Sequence, residues 1–253
     1  MSEVSPASPP DHPPVGSVAR LASHLSLLQL SDSAFPSGRF TLSHGLEAFA
    51  QSGRLTAPTR PSTLVTLLSD CIRFGVAPSD GVALACAHRA AGPDGLVDLE
   101  LVTHADQRLT AVKLAREARE ASMRTGRALL STATAAFGRA AMLDYAERVD
   151  EGRAPGNHAV VLGLLSARLG VPRLQSVVGE LYAFAASWVA AAVRLAVTDH
   201  RTAQRLLHRV RSVTAEAALR AVARDVQHIS SCTPLPDVMA MRHEQADLRL
   251  FAT

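Results

Sequence analysis

The 253-residue sequence predicts an all-α protein, a single-domain helical bundle of about ten helices, and three observations carry that expectation. Apolar residues make up 47% of the chain but aromatic residues only 4%, so the aromatic excess that strands prefer is missing. Alanine, leucine and arginine, all strong helix formers, are abundant instead. Apolar positions also recur at three- and four-residue intervals between proline- and glycine-marked breaks. A chain of this length can bury one large core.

The elements follow in order. Residues 1–17 hold five prolines among Ser, Asp and Gly and read as a disordered, proline-rich leader. Val18, Leu21, Leu25 and Leu28, widened by Leu27 and Leu30, predict a helix over 18–31. The turn formers from Ser31 to Gly38 break it, and Leu42, Leu46 and Phe49 resume a helical pattern over 40–50. Pro58 and Pro61 start a helix through Leu64, Leu68 and Ile72 that Gly75 ends, and Pro78, Ser79 and Asp80 open the next. Thr110 is expected to cap a helix over 111–137, with Arg116, Glu117, Arg119 and Glu120 on its exposed face. After the loop at Gly152, Pro155 and Gly156, helices are predicted at about 158–169, 173–197, 199–212 and 214–228. The chain thus divides into the leader, a helical domain over 18–228, and a tail over 229–253 in which a short helix from Asp237 to Leu250 is expected.

Signs of catalysis are missing, and no catalytic residue, cofactor or metal ligand is predicted. The only lysine, Lys113, follows Ala111 and Val112 rather than the glycines of a phosphate-binding loop. The sequence has no H-E-x-x-H, no G-x-S-x-G and no dinucleotide-binding glycine pattern. His200 and His208 stand two helical turns apart, and His228, Cys232 and His243 are close only in sequence, so neither set is read as a metal site. Cys71, Cys86 and Cys232 form no C-x-x-C pair, and an odd count suits a reducing compartment, so a cytoplasmic location is expected. The stretch from Val177 to Val197 is interrupted by Glu180 and Arg194 and is read as the central buried helix, with Trp188 in or beside the core, rather than as a membrane span. Arg201, Arg205 and Arg209 form a basic stripe, read first as a solvated face; it is the sole support for the alternative of a helical DNA-binding regulator.

Three ordered segments carry a resemblance. The first runs Leu28-Gln29-Leu30-Ser31-Asp32-Ser33-Ala34-Phe35-Pro36-Ser37-Gly38, followed by Phe40 and Gly45-Leu46-Glu47. The second is Asn157-His158-Ala159-Val160-Val161-Leu162-Gly163, with Leu181-Tyr182-Ala183-Phe184 and Ala192-Val193-Arg194-Leu195 downstream. The third is Met241-Arg242-His243-Glu244, ending in Arg249-Leu250-Phe251. Together they resemble the urease accessory protein F family over roughly residues 20–253. Arg39 stands where that family usually has a second glycine, and His44 lies where it has a small or hydroxylated residue plus glycine.

The resemblance implies an all-α, non-catalytic homodimer that bridges the D-type (also called H-type) urease accessory protein to the G-type GTPase. Together these load nickel into apo-urease in a GTP-dependent step. No nucleic acid or membrane partner is implied. The tail residues Met241, Arg242, His243, Glu244, Arg249, Leu250 and Phe251 are expected to contact the D-type partner, since Met, Arg and aromatic side chains are enriched in interfaces. Ser31, Asp32, Pro36 and Gly38, in the segment from Ser31 to Gly38, are read either as a partner surface or as a structural turn. Tyr182, Phe184 and Arg194 are expected in packing or a dimer seam. The tail is proline-broken and is read either as ordering on docking or as packed on its own bundle.

Overall fold

The computed structural model describes residues 15–92, 96–138, 142–246 and 249–251. It is all-α, with a single antiparallel bridge between Ala91 and Val97 as the only β pairing among the described residues. The helices are α1 (Val15–Ser31), α2 (Leu46–Gln51), α3 (Pro61–Asp70), α4 (Val82–Ala90), α5 (Leu99–Val112) and α6 (Arg116–Phe137). They continue with α7 (Leu143–Asp150), α8 (His158–Arg168), α9 (Arg173–Arg194), α10 (His200–Arg209), α11 (Arg211–Val222) and α12 (Pro234–His243). Of the expected leader, residues 1–14 lie outside the described residues and residues 15–17 are already helical.

The core is built around α4 and α8, both apolar on nearly every side and buried along almost their whole length. A helix that is hydrophobic all round has to be enclosed. The two approach closely because Gly163 has no side chain: a Cβ there would lie 2.4 Å from the Leu84 carbonyl oxygen. Helix α9 packs beside them through Val177, Leu181, Ala185 and Trp188. It is long and apolar enough to cross a membrane, yet most of its apolar window is buried within this fold.

Several sequence expectations are corrected. Gly75 does not end a helix, because α3 and α4 are joined through a π-helical segment, Cys71–Gly81, that contains Pro78. Proline removes an N–H from the helix ladder and leaves the carbonyl one turn earlier without its α-helical donor. Here the Phe74 carbonyl accepts instead from the backbone N–H of Cys232 at 2.8 Å, and the Pro78 carbonyl from that of Ser230 at 3.1 Å. Thr110 caps nothing. Its hydroxyl donates back to the Asp106 carbonyl within α5, and the chain breaks at 113–115 before α6 starts. Glu117, expected on the exposed face of α6, is buried. The expected helix over 40–50 is split into a 3-10 turn, Arg39–Thr41, and α2. His44 and Gly45, at φ 53° and 80°, take left-handed conformations that no helix accommodates.

Helix α1 forms as expected but its apolar stripe faces the other way. Val18, Leu21, Leu25 and Leu28 are 54–65% exposed, while Leu30 is buried and Leu27 lies against Gly179 of α9. On α10, Ala203 and Leu206 face the core and Arg201, Arg205 and Arg209 face solvent. The last helix is Pro234–His243 rather than 237–250; Pro234 occupies the first turn, where its missing N–H is harmless.

Candidate functional site

The tail is packed on the bundle by a polar cage. His243 is fully buried, with Nδ1 2.8 Å from Glu117 Oε2 and Nε2 2.9 Å from Glu47 Oε2. Glu47, at the start of α2, also accepts the backbone N–H groups of Leu250 and Phe251 at 2.7 and 3.1 Å. Arg249 pairs with Glu117. Glu244 accepts the backbone N–H of Glu117 at 3.2 Å, serving the first turn of α6, where the preceding residue, Ala115, offers no capping side chain. Phe251 is buried, with the Arg194 guanidinium 4.3 Å above its ring centre, a cation–π geometry.

Beneath α12 lies a chamber of about 200 Å³ with charged walls. Arg39 donates to Glu180 through both terminal guanidinium nitrogens, at 2.6 and 3.0 Å, and reaches His158 Nε2 at 3.1 Å. Lys113 binds both oxygens of Asp80 at 3.0 and 2.8 Å. Burial would raise the Asp80 carboxyl, but the charge and hydrogen bonds of Lys113, with the Ser79 hydroxyl and Arg39, together outweigh it and hold the group below its ordinary value. At Glu180 burial prevails over Arg39 and the carboxyl is raised. Burial, with Arg39 beside it, lowers His158 to about 3 and keeps its ring neutral. Arg39 therefore sets one cation against two buried groups, Glu180 and His158. His44 donates to or accepts from Ser187 Oγ at 3.0 Å, with its ring edge-on to Phe184 at 4.8 Å.

His158 is held in place from behind. Asp106 of α5 is completely buried and accepts from Tyr145 Oη at 2.6 Å, from the N–H groups of Gly156 and Asn157 at 2.7 and 3.0 Å, and from Asn157 Nδ2 at 2.7 Å. This carboxylate fixes the loop that starts α8.

The sequence-predicted residues fall into three groups. In the tail, His243 and Phe251 point into the fold, whereas Met241, Arg242, Arg249 and Leu250 are exposed and Glu244 is half-buried. Of the second set, Ser31 and Asp32 share a groove with Leu28, Phe35 and Tyr182, while Pro36 and Gly38 are exposed outside it. Tyr182 is 52% exposed, Phe184 is buried at the chamber wall, and Arg194 belongs with the tail through Phe251. Sequence reasoning missed Asp80, Asp106 and Glu117 as interior groups. Glu47 stood within the quoted Gly-Leu-Glu run, and a charge in an apolar motif was the available signal. Among the described residues no group of three or more His, Cys, Asp and Glu side chains is arranged to hold a metal ion.

Comparison with known proteins gives a consistent picture. The UreF family model matches residues 59–211. A urease accessory protein UreF from Trichodesmium erythraeum is 31% identical over 92% of this chain and 97% of its own length. A urease accessory protein UreF 2 from Brucella canis is 31% identical over 90% of each chain. A third, from an Arthrobacter species, is 30% identical over 90% of this chain and 96% of its own.

Proposed function

Because the chain belongs to the UreF family of urease accessory proteins, we propose that it is the non-catalytic scaffold that bridges the D-type accessory protein and the G-type GTPase. In that assembly, in the cytoplasm, it serves GTP-dependent nickel insertion into apo-urease. The observation that carries this reading is the two-sided tail. One side of α12 is anchored through His243 and Met239. The other presents Leu235, Val238 and Met241, each about two-fifths exposed and spaced at three-residue intervals, flanked by Arg242. An apolar strip that carries a Met and lies beside an Arg suits a protein interface. The D-type partner is assigned to this strip.

A second surface supports pairing with another copy of the chain. Val18, Leu21, Leu25 and Leu28 follow a 3-4-3 spacing on the outer side of α1, as at the seam of a coiled coil. Leu174, Val178 and Tyr182 are exposed at four-residue intervals on α9, and Tyr182 shares the groove with Leu28. Exposed apolar faces of this kind mark interaction sites. The homodimer is assigned to this α1–α9 face and the D-type protein to the tail strip.

The experiment is co-purification of Met241→Asp and Val238→Asp variants with the D-type protein. Loss of the complex with unchanged helicity is expected, and full retention by both variants removes the tail strip from the interface. Deleting residues 229–253 is a poorer test, because it exposes Glu47 and Glu117 and uncovers the apolar surface under Ile229, Met239 and Phe251.

A further inference from the structure

The walls of the charged chamber come from two sources. Arg39, Asp80, Lys113, His158 and Glu180 belong to the bundle, whereas Thr233, Pro236, Asp237 and Ala240 belong to the tail and close one side. The closing helix sits close: a Cβ at Gly45 would lie 3.4 Å from the Pro236 carbonyl oxygen and 3.7 Å from the Ala240 nitrogen. Yet α12 buries little of its own. Met239 and His243 are its only buried residues.

The helix is held at its two ends. Before it, the backbone of Ser230 and Cys232 is pinned to the carbonyls of Pro78 and Phe74. After it, the cage of Glu47 and Glu117 grips His243, Arg249 and the chain at Leu250 and Phe251. A segment with few buried apolar contacts opens at lower free energy than the core around it. Its closed state then depends on the polar groups that clamp it.

We propose that α12 is a lid over the chamber, hinged at residues 230–232 and latched by His243 between Glu47 and Glu117, so that releasing the latch opens the chamber without unfolding the bundle. Closed, the lid covers one side of the chamber that holds the Arg39–Glu180 and Lys113–Asp80 pairs, leaving their side chains 5–17% exposed. Opened, it exposes four charged groups at one place. The lid is a property of this chain alone. Only the identity of the protein that grips its outer face rests on the scaffold reading above.

Cys71 lies in the chamber wall under α12 and is buried, and Cys86 is fully buried in α4, away from the lid. The test is thiol labelling of the full chain carrying Cys232→Ser, which removes the exposed thiol, with modification at each cysteine followed by mass spectrometry. His243→Ala is expected to raise the Cys71 labelling rate at least roughly tenfold, with Cys86 unchanged, since truncating one partner of a buried charged cluster leaves the others unpaired. Arg249→Ala, at a half-exposed latch residue, is expected to give a smaller increase in the same direction. Two outcomes overturn the proposal: Cys71 rates that stay at the parent value in both variants, or Cys71 and Cys86 rates that rise together.

Discussion

Replacing Asp106 by alanine tests whether one buried carboxylate organises the start of α8. The substitution removes the acceptor of four donors: Tyr145 Oη, the N–H groups of Gly156 and Asn157, and Asn157 Nδ2. Asn157 Nδ2 keeps two acceptors, Thr110 Oγ1 at 2.7 Å and the backbone carbonyl of residue 106 at 3.2 Å, so three donors are orphaned. Each buried unsatisfied donor costs about 1–3 kcal/mol. Burial already raises the Asp106 carboxyl, and loss of that desolvation cost, with water entering the gap, holds the total to the lower part of the range. We expect a loss of about 3–5 kcal/mol, a large share of the ~5–15 kcal/mol that holds a domain folded. Urea unfolding at pH 7, followed by far-ultraviolet circular dichroism, measures it through the shift in midpoint at constant slope. A loss below about 1 kcal/mol would mean that the donors find other partners cheaply, and the organising role assigned to Asp106 would be wrong.

Three further outcomes follow from the same geometry. His158 stays neutral in the fold, with its pKa lowered to about 3, whereas in the unfolded chain it takes up a proton below about pH 6.5. Unfolding therefore binds a proton between those limits, and stability present in full above pH 6.5 falls by about 1.4 kcal/mol per pH unit, or ~2 kcal/mol by pH 5. Comparison of urea midpoints for the parent and His158→Gln at pH 7 and 5 isolates this share, and equal pH dependence in both contradicts it. Gly126→Ala would drive a Cβ to 1.9 Å from the Gly156 carbonyl oxygen and 2.8 Å from the backbone at Asn157 and His158. Because those contacts are backbone, a loss of about 3 kcal/mol or more is expected in the same assay. Leu25→Asp and Tyr182→Asp place a charge on the exposed α1–α9 face. Light scattering is expected to report a monomer of unchanged helicity, and a persistent dimer in both variants removes that face from the interface.

Much of the bundle was legible in local sequence. Periodicity located α1, the loop at Gly152, Pro155 and Gly156 located the start of α8, and the charge-interrupted apolar run around Trp188 was correctly read as a central buried helix. Breaks were less legible, because their outcome depended on distant residues. Gly75 and Pro78 are sound local stop signals, but the Phe74 and Pro78 carbonyls beside them are bonded by the backbone of Cys232 and Ser230, more than 150 positions away. The polar site was hidden for the same reason. His243 was legible as a notable residue, yet its burial depends on Glu47 and Glu117, 196 and 126 positions earlier, and no spacing rule connects them. Helix α1 shows the opposite failure. Its apolar stripe was found, but periodicity alone does not say whether the face it marks meets the chain's own core or another molecule.

The central claim is that this chain holds urease-maturation proteins together and leaves the chemistry to them. Its most direct test is co-purification of the tagged full-length chain with the D-type accessory protein and the G-type GTPase, with and without GTP. The account predicts one complex containing both partners, with nucleotide changing how much GTPase is retained. Recovery of the folded chain with neither partner, under either condition, would contradict it.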